Sequence, residues 1–283
     1  MPSGNYLTHQ GIYFPIYSTE EVLNYVKKEY QLLDDDVVTV AYPKSGTHWL
    51  LEILGLIRHN GDPAWVRSLS VWERSPWIET AIGIERTLRY PPPRMLTTHV
   101  PFQFFPKSFL HSKAKVIYIL RDPKDVLVSL YHFCKIFKLW EISETLEEFL
   151  EDFLKGNVIY GSWFNHVKDW MEMKDKPNFF FIGYEELQQD LRGSVERICH
   201  FLGKELSRQQ IDSVVENASF QKMKDNTMTN YSELSFIDHN KGKFMRKGII
   251  GDWRNHLTVE QSKYFDRMYQ ETMQDVNIAF PWG

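Results

Sequence analysis

The chain has 283 residues, a formal net charge of −4, 43% hydrophobic residues and 25% charged residues, which are ordinary values for a globular protein. The acidic balance argues against a dedicated nucleic-acid-binding surface, and no apolar stretch of 18 residues is available to span a membrane. We therefore expect neither nucleic acid nor a membrane among its partners. The 19 Phe, 14 Tyr and 9 Trp suffice for a core and for a pocket that holds a flat apolar ligand.

The cysteines, the histidines and the first residues narrow the class of protein further. Cys134 and Cys199 lie in apolar helical patterns and are predicted to be buried thiols rather than a disulfide. The ten histidines show no metal-ligand spacing, so we expect no metal. The first ten residues are polar and carry no secretory signal, which predicts a cytoplasmic protein.

Apolar periodicity predicts strands and helices in alternation along the chain. A helix at 19–30, opened by a capping box at Ser18 and Glu21, precedes a β-branched strand at 37–40, a tight loop and an amphipathic helix. Further strands are predicted at 95–98, 115–120 and 179–182. Further helices are predicted at 125–138 and 193–202. Three more helices are predicted to begin with a capping box: one at Thr145 and Glu148, one over 207–216 at Ser207 and Gln210, and one from Thr258 and Gln261 to about residue 275.

Two stretches, 61–95 and 218–252, lack clear periodicity and are predicted to be long loops. The second is long enough to suggest a functional loop or lid. The chain has no internal repeat and no linker. Strands that alternate with helices predict a single α/β domain over residues 1–283, with a central parallel β-sheet flanked by helices.

The loop after the first buried strand carries the most specific signal in the chain. Its residues Lys44, Ser45, Gly46 and Thr47 stand at a helix N-terminus, where free backbone N–H groups and the helix dipole favour phosphate or sulfate. The loop is P-loop-like, but it is not a Walker A sequence, because its lysine precedes its only glycine. A plain strand-to-helix turn with an incidental lysine is the alternative for this loop alone.

Other groups suited to an anion follow the later strands or lie in the second irregular stretch. In open parallel sheets, ligands bind beyond the carboxyl ends of the strands. The groups are Arg121, Ser129, Tyr184, Arg246, Lys247 and Gly248. Together they imply a ligand with two separate anionic groups. The alternatives are a surface Arg121 paired with Asp122 or Asp125, and a solvated turn at 246–248.

Five motifs carry a resemblance that covers nearly the whole chain. They are Tyr42-Pro-Lys-Ser-Gly-Thr47 with Trp49, Thr98-His99-Val-Pro101, Arg121-Asp-Pro-Lys-Asp125 with Ser129, Tyr184-Glu-Glu-Leu187, and Arg246-Lys-Gly-x-x-Gly-Asp-Trp253. With them the chain resembles the cytosolic sulfotransferases. Trp72-Glu-Arg-Ser-Pro-Trp77 and Tyr160-Gly-Ser-Trp163 resemble the hydroxysteroid and bile-salt branch of that family.

The resemblance implies sulfonate transfer from 3′-phosphoadenosine 5′-phosphosulfate (PAPS) to the hydroxyl of a steroid, bile acid or similar lipophilic alcohol, leaving 3′-phosphoadenosine 5′-phosphate (PAP). By position, the loop from Lys44 to Trp49 holds the phosphosulfate and stacks the adenine. Arg121, Ser129 and the turn at 246–248 hold the 3′-phosphate. The implied donor-binding residues are Lys44, Ser45, Gly46, Thr47, His48, Trp49, Arg121, Ser129, Tyr184, Ser219, Phe220, Met223, Arg246, Lys247 and Gly248.

The catalytic residues follow from the same resemblance. His99 matches the family's general base, a role that suits a near-neutral imidazole, and Lys44 stabilises charge on the leaving phosphate oxygen. Ser129 is predicted to be a catalytic residue as well. His48 stands where the family usually has Asn or Thr; it either donates to the sulfonate or shares or replaces the base role, and we favour the single base. The predicted acceptor-binding residues are Trp72, Trp77, His99, Phe133 and Tyr231, with core packing as the alternative for the aromatic ones.

Three further positions depart from the family pattern. Ala218 replaces a hydroxyl residue near the adenine, which predicts slightly weaker donor binding. Cys134 stands where the branch tends to carry a bulky aromatic residue, which predicts a roomier acceptor pocket. The family's dimer motif K-x-x-x-T-V-x-x-x-E runs here from Arg254 to Lys263 with its last charge reversed, so a homodimer is possible but in doubt.

Two other functions are compatible with parts of the pattern. One is a non-catalytic protein of the same fold that binds nucleotide and lipophilic hydroxyl compounds, but such a binder needs neither His99 nor Lys44. The other is a metal-dependent small-molecule kinase, which lacks support because neither a Walker A sequence nor carboxylates placed for Mg²⁺ are visible.

Overall fold

The computed structural model describes residues 6–140, 142–276 and 280, and a parallel four-stranded sheet lies at its centre. The strands of the described residues are β1 (Tyr6–His9), β2 (Ile12–Pro15), β3 (Val37–Ala41), β4 (Met95–Thr98), β5 (Lys115–Leu120) and β6 (Phe179–Gly183). The central sheet has the order β4-β3-β5-β6 with every neighbouring pair parallel, and β1 and β2 form a separate antiparallel hairpin. The prediction of an α/β fold with a central parallel sheet is confirmed.

Helices cover both faces of the sheet. They are α1 (Glu20–Lys28), α2 (Thr47–Arg58), α3 (Ala64–Ser68), α4 (Val71–Arg74), α5 (Ala81–Arg89), α6 (Pro123–Ile136), α7 (Leu146–Lys155), α8 (Trp163–Met171), α9 (Tyr184–Gln189), α10 (Leu191–Leu202), α11 (Arg208–Asn217), α12 (Phe220–Asp225) and α13 (Val259–Met273). Short 3₁₀ turns occupy Phe102–Phe104, Lys107–His111 and Asp252–Asn255.

The continuous apolar run of β5 reflects burial on both of its sides. Successive side chains of a strand point to opposite faces of the sheet. Tyr118 and Leu120 accordingly pack in one core, with residues of α6, α7, α8 and α13, while Ile117 and Ile119 pack in a second core with residues of α2, α10 and α11. A parallel strand between two helical layers therefore needs apolar residues at every position.

Most predicted helix starts coincide with the capping residues of the structure. The capping boxes that begin α7, α11 and α13 are all formed, by Thr145 and Glu148, Ser207 and Gln210, and Thr258 and Gln261. The predicted capping box at Ser18 and Glu21 is wrong by one residue. Thr19 is the N-cap of α1 instead, because its hydroxyl accepts the Val22 N–H at 3.3 Å.

The prediction of loops over 61–95 is wrong. Three helices, α3, α4 and α5, lie there, and the longest of them has only nine residues. Helices this short rest on tertiary contacts more than on an apolar stripe. The Val71 N–H, for example, donates to the Met228 carbonyl at 2.8 Å, and Arg74 makes a buried ion pair with Glu52 at 2.7 Å.

Some other elements were not predicted, and one helix begins at a different residue from the predicted one. The β1–β2 hairpin and α8 were not predicted, and the irregular stretch 218–252 contains the six-residue helix α12. Helix α6 begins at Pro123, with Asp122 as its N-cap, rather than at residue 125. Cys134 and Cys199 are buried free thiols, as predicted. None of the helices in the described part of the chain is both long and apolar enough to cross a membrane.

Candidate active site

A cavity of about 700 Å³ opens beyond the carboxyl ends of the four parallel strands. Each strand delivers a polar or aromatic residue to it directly after, or a few residues beyond, its own last residue. Lys44 follows β3, His99 follows β4, Arg121 follows β5 and Tyr184 follows β6. This is the edge at which ligands of open parallel sheets bind.

The cavity brings nearly all of the predicted site residues together. Ser45 and Ser219 are the two exceptions: Ser45 is fully buried within the loop, and Ser219 is the N-cap of α12. The predicted residues that line the cavity are Lys44, Gly46, Thr47, His48, Trp49, Trp72, Trp77, His99, Arg121, Ser129, Phe133, Tyr184, Phe220, Met223, Tyr231, Arg246, Lys247 and Gly248.

The loop between β3 and α2 is shaped for a bound oxyanion. Gly46, the N-cap of α2, has φ of +110°, and a Cβ at this position would meet the Tyr184 ring at 2.8 Å and Ile119 at 2.9 Å. The Ser45 and Thr47 hydroxyl oxygens are buried and have no hydrogen-bond partner among the described residues. Buried hydroxyls of a folded protein normally have a partner. The loop therefore fits a phosphate or sulfate that would supply one.

Lys44 lies in an aromatic setting inside the cavity. Its ammonium is 4.2 Å from the centre of the Phe133 ring and 4.1 Å from that of Phe244, which are cation–π distances. Burial and, to a smaller extent, the positive charge of Arg121 together lower the pKa of Lys44 to about 7. An anionic ligand beside Lys44 would restore the charged form.

Arg121 links the loop to the second irregular stretch. Its guanidinium donates to the carbonyls of Lys44 at 3.3 Å and Ile249 at 3.0 Å, and it lies 4.3 Å above the Tyr184 ring. Its Nε is buried without a partner in the described part of the chain. Arg121 is also 3.8 Å from Asp125, so the pairing considered as an alternative coexists with a place on the cavity wall.

A second cationic group stands at the same end of the cavity. Arg246 and Lys247 both pair with the buried Asp252, at 2.7 and 2.6 Å. Burial opposes the charge on Asp252, but the hydrogen bonds from Lys247, Asn255 and Arg246 outweigh burial and lower its pKa. A Cβ on Gly248, whose φ is +66°, would overlap the Phe220 ring, so only glycine fits there.

Aromatic side chains form a slot between these cations and the start of α2. Trp49 donates from its indole nitrogen to the Ala218 carbonyl at 2.8 Å and meets the Tyr184 ring at 5.2 Å. Phe220 and Met223 line the same cavity. Ala218 therefore acts through its backbone in the structure, whereas the prediction concerned the hydroxyl that its side chain lacks.

His99 is held in one tautomer. Its Nδ1 lies 2.7 Å from the Ala41 carbonyl, which can only accept, so Nδ1 carries the proton and Nε2 keeps a free lone pair. Burial lowers the pKa of His99 to about 4, and the charge of Lys44 contributes to the shift. Near pH 7 the ring is neutral and able to accept a proton through Nε2.

Three residues whose role at the site was not predicted from the sequence, Glu79, Tyr160 and His166, contact the His99 backbone or ring. Glu79 accepts the His99 N–H at 2.8 Å and the Tyr160 hydroxyl at 3.3 Å, and the Tyr160 ring meets the imidazole edge-on at 5.4 Å. The buried His166 donates from Nε2 to the His99 carbonyl at 3.2 Å and accepts the Tyr118 hydroxyl at Nδ1, 2.9 Å away. The sequence offers one signal for this role: Glu79 is a charged residue in the mainly apolar stretch 76–84.

His48 sits in a cage of aromatic rings. Tyr231 and Phe244 each lie 4.6 Å from its ring centre, and Trp77 lies at 5.9 Å. Trp77 is also 5.9 Å from His99, so one indole contacts both histidines. Burial and then the charge of Lys44 lower the pKa of His48 well below its usual value, which leaves this ring neutral too.

The remaining wall of the cavity is mainly apolar. Trp72, Trp77, Phe133 and Tyr231, which were predicted, are joined by residues that were not. These are Tyr17, Ile82, Arg86, Phe137, Leu139, Trp140, Tyr160, Leu234, Phe236 and Phe244. Cys134 is not among the residues that line this cavity but is buried in the hydrophobic core, and its link to a roomier pocket stays a prediction. Over the described ranges, no three His, Cys, Asp or Glu residues group so as to hold a metal ion.

Comparisons with known proteins agree on one family. A family model described as a sulfotransferase domain matches residues 34–277. Mouse sulfotransferase 2B1 is 50% identical over 99% of this chain and 83% of its own length, and guinea pig (Cavia porcellus) 3-beta-hydroxysteroid sulfotransferase is 50% identical over 99% of each chain. The crystal structure of mouse sulfotransferase SULT7A1 complexed with PAP matches with a TM-score of 0.82 at 34% identity, over 96% of this chain and 95% of that one.

Proposed function

The chain belongs to the sulfotransferase family, and from this premise we propose that it transfers a sulfonate group from PAPS to the hydroxyl of a steroid or a similar lipophilic alcohol. One observation carries the proposal. A neutral histidine with a free Nε2, His99, lines the same cavity as the anion-binding loop at Lys44 and the apolar wall at Trp77. A nucleotide-binding protein without turnover would need no such base.

The donor-binding residues are proposed from their place on the cavity wall or, for Ser45, within the loop behind it. The buried hydroxyls of Ser45 and Thr47, which lack partners in the described chain, fit the phosphosulfate end. The cations Arg121, Arg246 and Lys247 fit the 3′-phosphate, and Ser129, which lines the same cavity, is proposed to contact it as well. The aromatic slot of Trp49, Tyr184, Phe220 and Met223 fits the adenine. When bound, PAPS supplies the sulfonate group, and PAP is the leaving group.

Residues of the chain remove the proton, stabilise the leaving group and position the reactants. His99 Nε2 takes the proton of the acceptor hydroxyl while the new O–S bond forms and the bond from sulfur to the phosphate oxygen breaks. Lys44 stabilises the charge that develops on that phosphate oxygen, because its ammonium is held in a cavity of low polarity. Ser129 lines the same cavity. The walls hold both reactants in place and exclude water.

The acceptor, the location and the assembly are parts of the same proposal. The apolar wall suits a small lipophilic acceptor, and bile acids are included with steroids. Residues 1–283 form one sulfotransferase domain, as the match over 34–277 supports. A cytoplasmic location follows from the resemblance to the cytosolic branch. A homodimer would bring Arg254 and Lys263 of the altered motif to its interface.

The test is transfer of labelled sulfonate from PAPS to a panel of 3-hydroxysteroids, bile acids and phenols, with a chelator present throughout. We expect turnover with steroid-like alcohols and little with small phenols. Binding of PAP without turnover of any acceptor would favour the alternative, a non-catalytic binding protein of the same fold. Activity that the chelator abolishes would favour a metal-dependent reaction instead.

A further inference from the structure

Arg86 is a charged residue on the apolar part of the cavity wall. It lies on α5, one helical turn beyond Gly83, which also lines the cavity, and residues three apart share a helix face. Its guanidinium is stacked 4.0 Å from the centre of the Trp72 ring. Stacking of this kind holds the plane of the guanidinium and does not use its N–H groups.

Among the described residues, no acidic group compensates Arg86. Its Nη1 is buried, and within that part of the chain it has neither a hydrogen-bond partner nor a carboxylate within 4.0 Å. Other buried arginines are neutralised: Arg74 pairs with Glu52 at 2.7 Å and Arg94 with Asp36 at 2.5 Å. Even the exposed Arg89, on the same helix, pairs with Glu85 at 2.6 Å.

A half-buried guanidinium without a counter-charge is unfavourable unless a ligand provides one. Its planar fork matches a carboxylate or sulfonate through two parallel hydrogen bonds. We propose that Arg86 binds an anionic group on the acceptor and so selects acceptors that carry a carboxylate or sulfonate. The inference rests on the proposed function and narrows its acceptor class.

A series of contacts through Trp77 and Gly83 lies between the reacting hydroxyl and the anionic group that Arg86 would bind. The His99 ring, which faces the hydroxyl, is in contact with the Trp77 ring at 5.9 Å. The Trp77 carbonyl abuts Gly83 at the start of α5, and Arg86 lies one turn further along. The preferred acceptor is therefore an elongated apolar molecule with a hydroxyl at one end and an anionic group at the other.

A matched pair of acceptors tests this assignment. One is a 3-hydroxysteroid with a carboxylate-terminated side chain and the other is its neutral methyl ester. The wild-type protein should show a kcat/KM for the acid about tenfold above that for the ester, since a charge-assisted bidentate pair contributes at least that factor. In Arg86→Gln the ratio should fall to about one, through a higher KM for the acid.

Two further variants serve as controls. Arg89→Gln removes the same charge from the same helix, outside the cavity, and should keep the wild-type ratio. Arg86→Lys keeps the charge without the fork and should give an intermediate ratio. An unchanged ratio in Arg86→Gln, with both acceptors still turned over, would overturn the role of Arg86 alone. Failure of the wild-type protein to sulfonate either acceptor would overturn the proposed function and the assignment of Arg86 with it.

Discussion

His99 is fixed by the protein at three points. Its N–H binds Glu79, its carbonyl accepts from His166, and its Nδ1 donates to the Ala41 carbonyl. Such a frame sets both the tautomer and the direction of the ring. His48 has no comparable frame: its neighbours are aromatic rings, and its Nε2 is buried without a partner among the described residues. The geometry thus favours His99 over His48 as the single base.

We expect the two histidine variants to differ sharply. His99→Asn should lower kcat by about 10²- to 10⁴-fold, the range for loss of a general base, while PAP binding stays near the wild-type value. His48→Asn, which keeps a small polar side chain, should lower kcat by less than about tenfold. Single-turnover sulfonate transfer and calorimetric PAP titration would measure both quantities. Equal losses in the two variants would contradict a single base at His99.

Glu79 gives stability a pH dependence that can be measured. Burial raises its pKa from 4.5 to about 7, so between these values the folded protein holds a proton that the unfolded chain has released. The stability from neutral Glu79 is therefore full below pH 4.5 and is lost as pH rises towards 7. Glu79→Gln removes this loss but keeps an oxygen for the His99 N–H.

The stability of Glu79→Gln relative to the wild-type protein should accordingly increase as pH rises. Relative to wild type, the free energy of unfolding of Glu79→Gln should increase by up to about 3 kcal/mol between pH 4.5 and 7. Urea denaturation at several pH values would measure the difference in the free energy of unfolding. The contributions of other titrating groups such as Glu185 are the same in both proteins and cancel in that difference. Parallel pH curves would show that Glu79 does not titrate in this range.

At the scale of elements, the N-terminal end of α6 and the turn after residue 245 form one unit. Asp125 accepts the backbone N–H groups of Gly251 at 2.6 Å and Trp253 at 3.0 Å. Asp252 holds Arg246 and Lys247, and Arg121 reaches back to the Ile249 carbonyl. The irregular stretch is therefore anchored by carboxylates at the place where the 3′-phosphate is proposed to bind.

Loosening this anchor should weaken recognition of the 3′-phosphate selectively. In Asp252→Asn, Arg246 and Lys247 lose their ion pairs, so the Kd for PAP should rise about tenfold, whereas the Kd for adenosine 5′-phosphate should change little. Calorimetric titration with both nucleotides would separate the two. Asp238→Asn, in the same stretch, is the matched control and should match wild type. An equal loss for both nucleotides would point to general disruption of the site.

The limits of sequence-based prediction are visible in particular elements. The buried strands and the long capped helices could be predicted because their period and end signals are local. Helices α3 and α4 have five and four residues, too few to show a period, and their positions depend on partners such as Met228 and Glu52. The donor side of the cavity could be predicted because its residues follow strand ends in recognisable motifs. Glu79 and Arg86 could not, since their roles depend on which neighbours folding brings to them.

For the molecule as a whole, the altered dimer motif carries a prediction about assembly. Val259 is 63% exposed and Lys263 is also exposed, while the Arg254 guanidinium lies 4.4 Å from the Trp253 ring. If this segment pairs antiparallel with its copy, Arg254 and Lys263 repel each other. The wild-type protein should sediment as a monomer at micromolar concentration, and Lys263→Glu should shift it towards a dimer. Lys113→Glu, the same charge change elsewhere, should leave the sedimentation coefficient unaltered; a wild-type dimer would refute the prediction.

The two ends of the cavity are built from different kinds of structure. Lys44, Arg121 and Tyr184 directly follow strands of the sheet or lie within a few residues of them, whereas the acceptor side is formed by α5, Trp72 and the segment 231–244. A substitution such as one at Arg86 therefore leaves the sheet and its loops undisturbed. Evolution can then exchange one acceptor for another by altering short peripheral segments, while the nucleotide half stays as it is. A single ancestral scaffold could in this way give rise to enzymes for chemically distant alcohols.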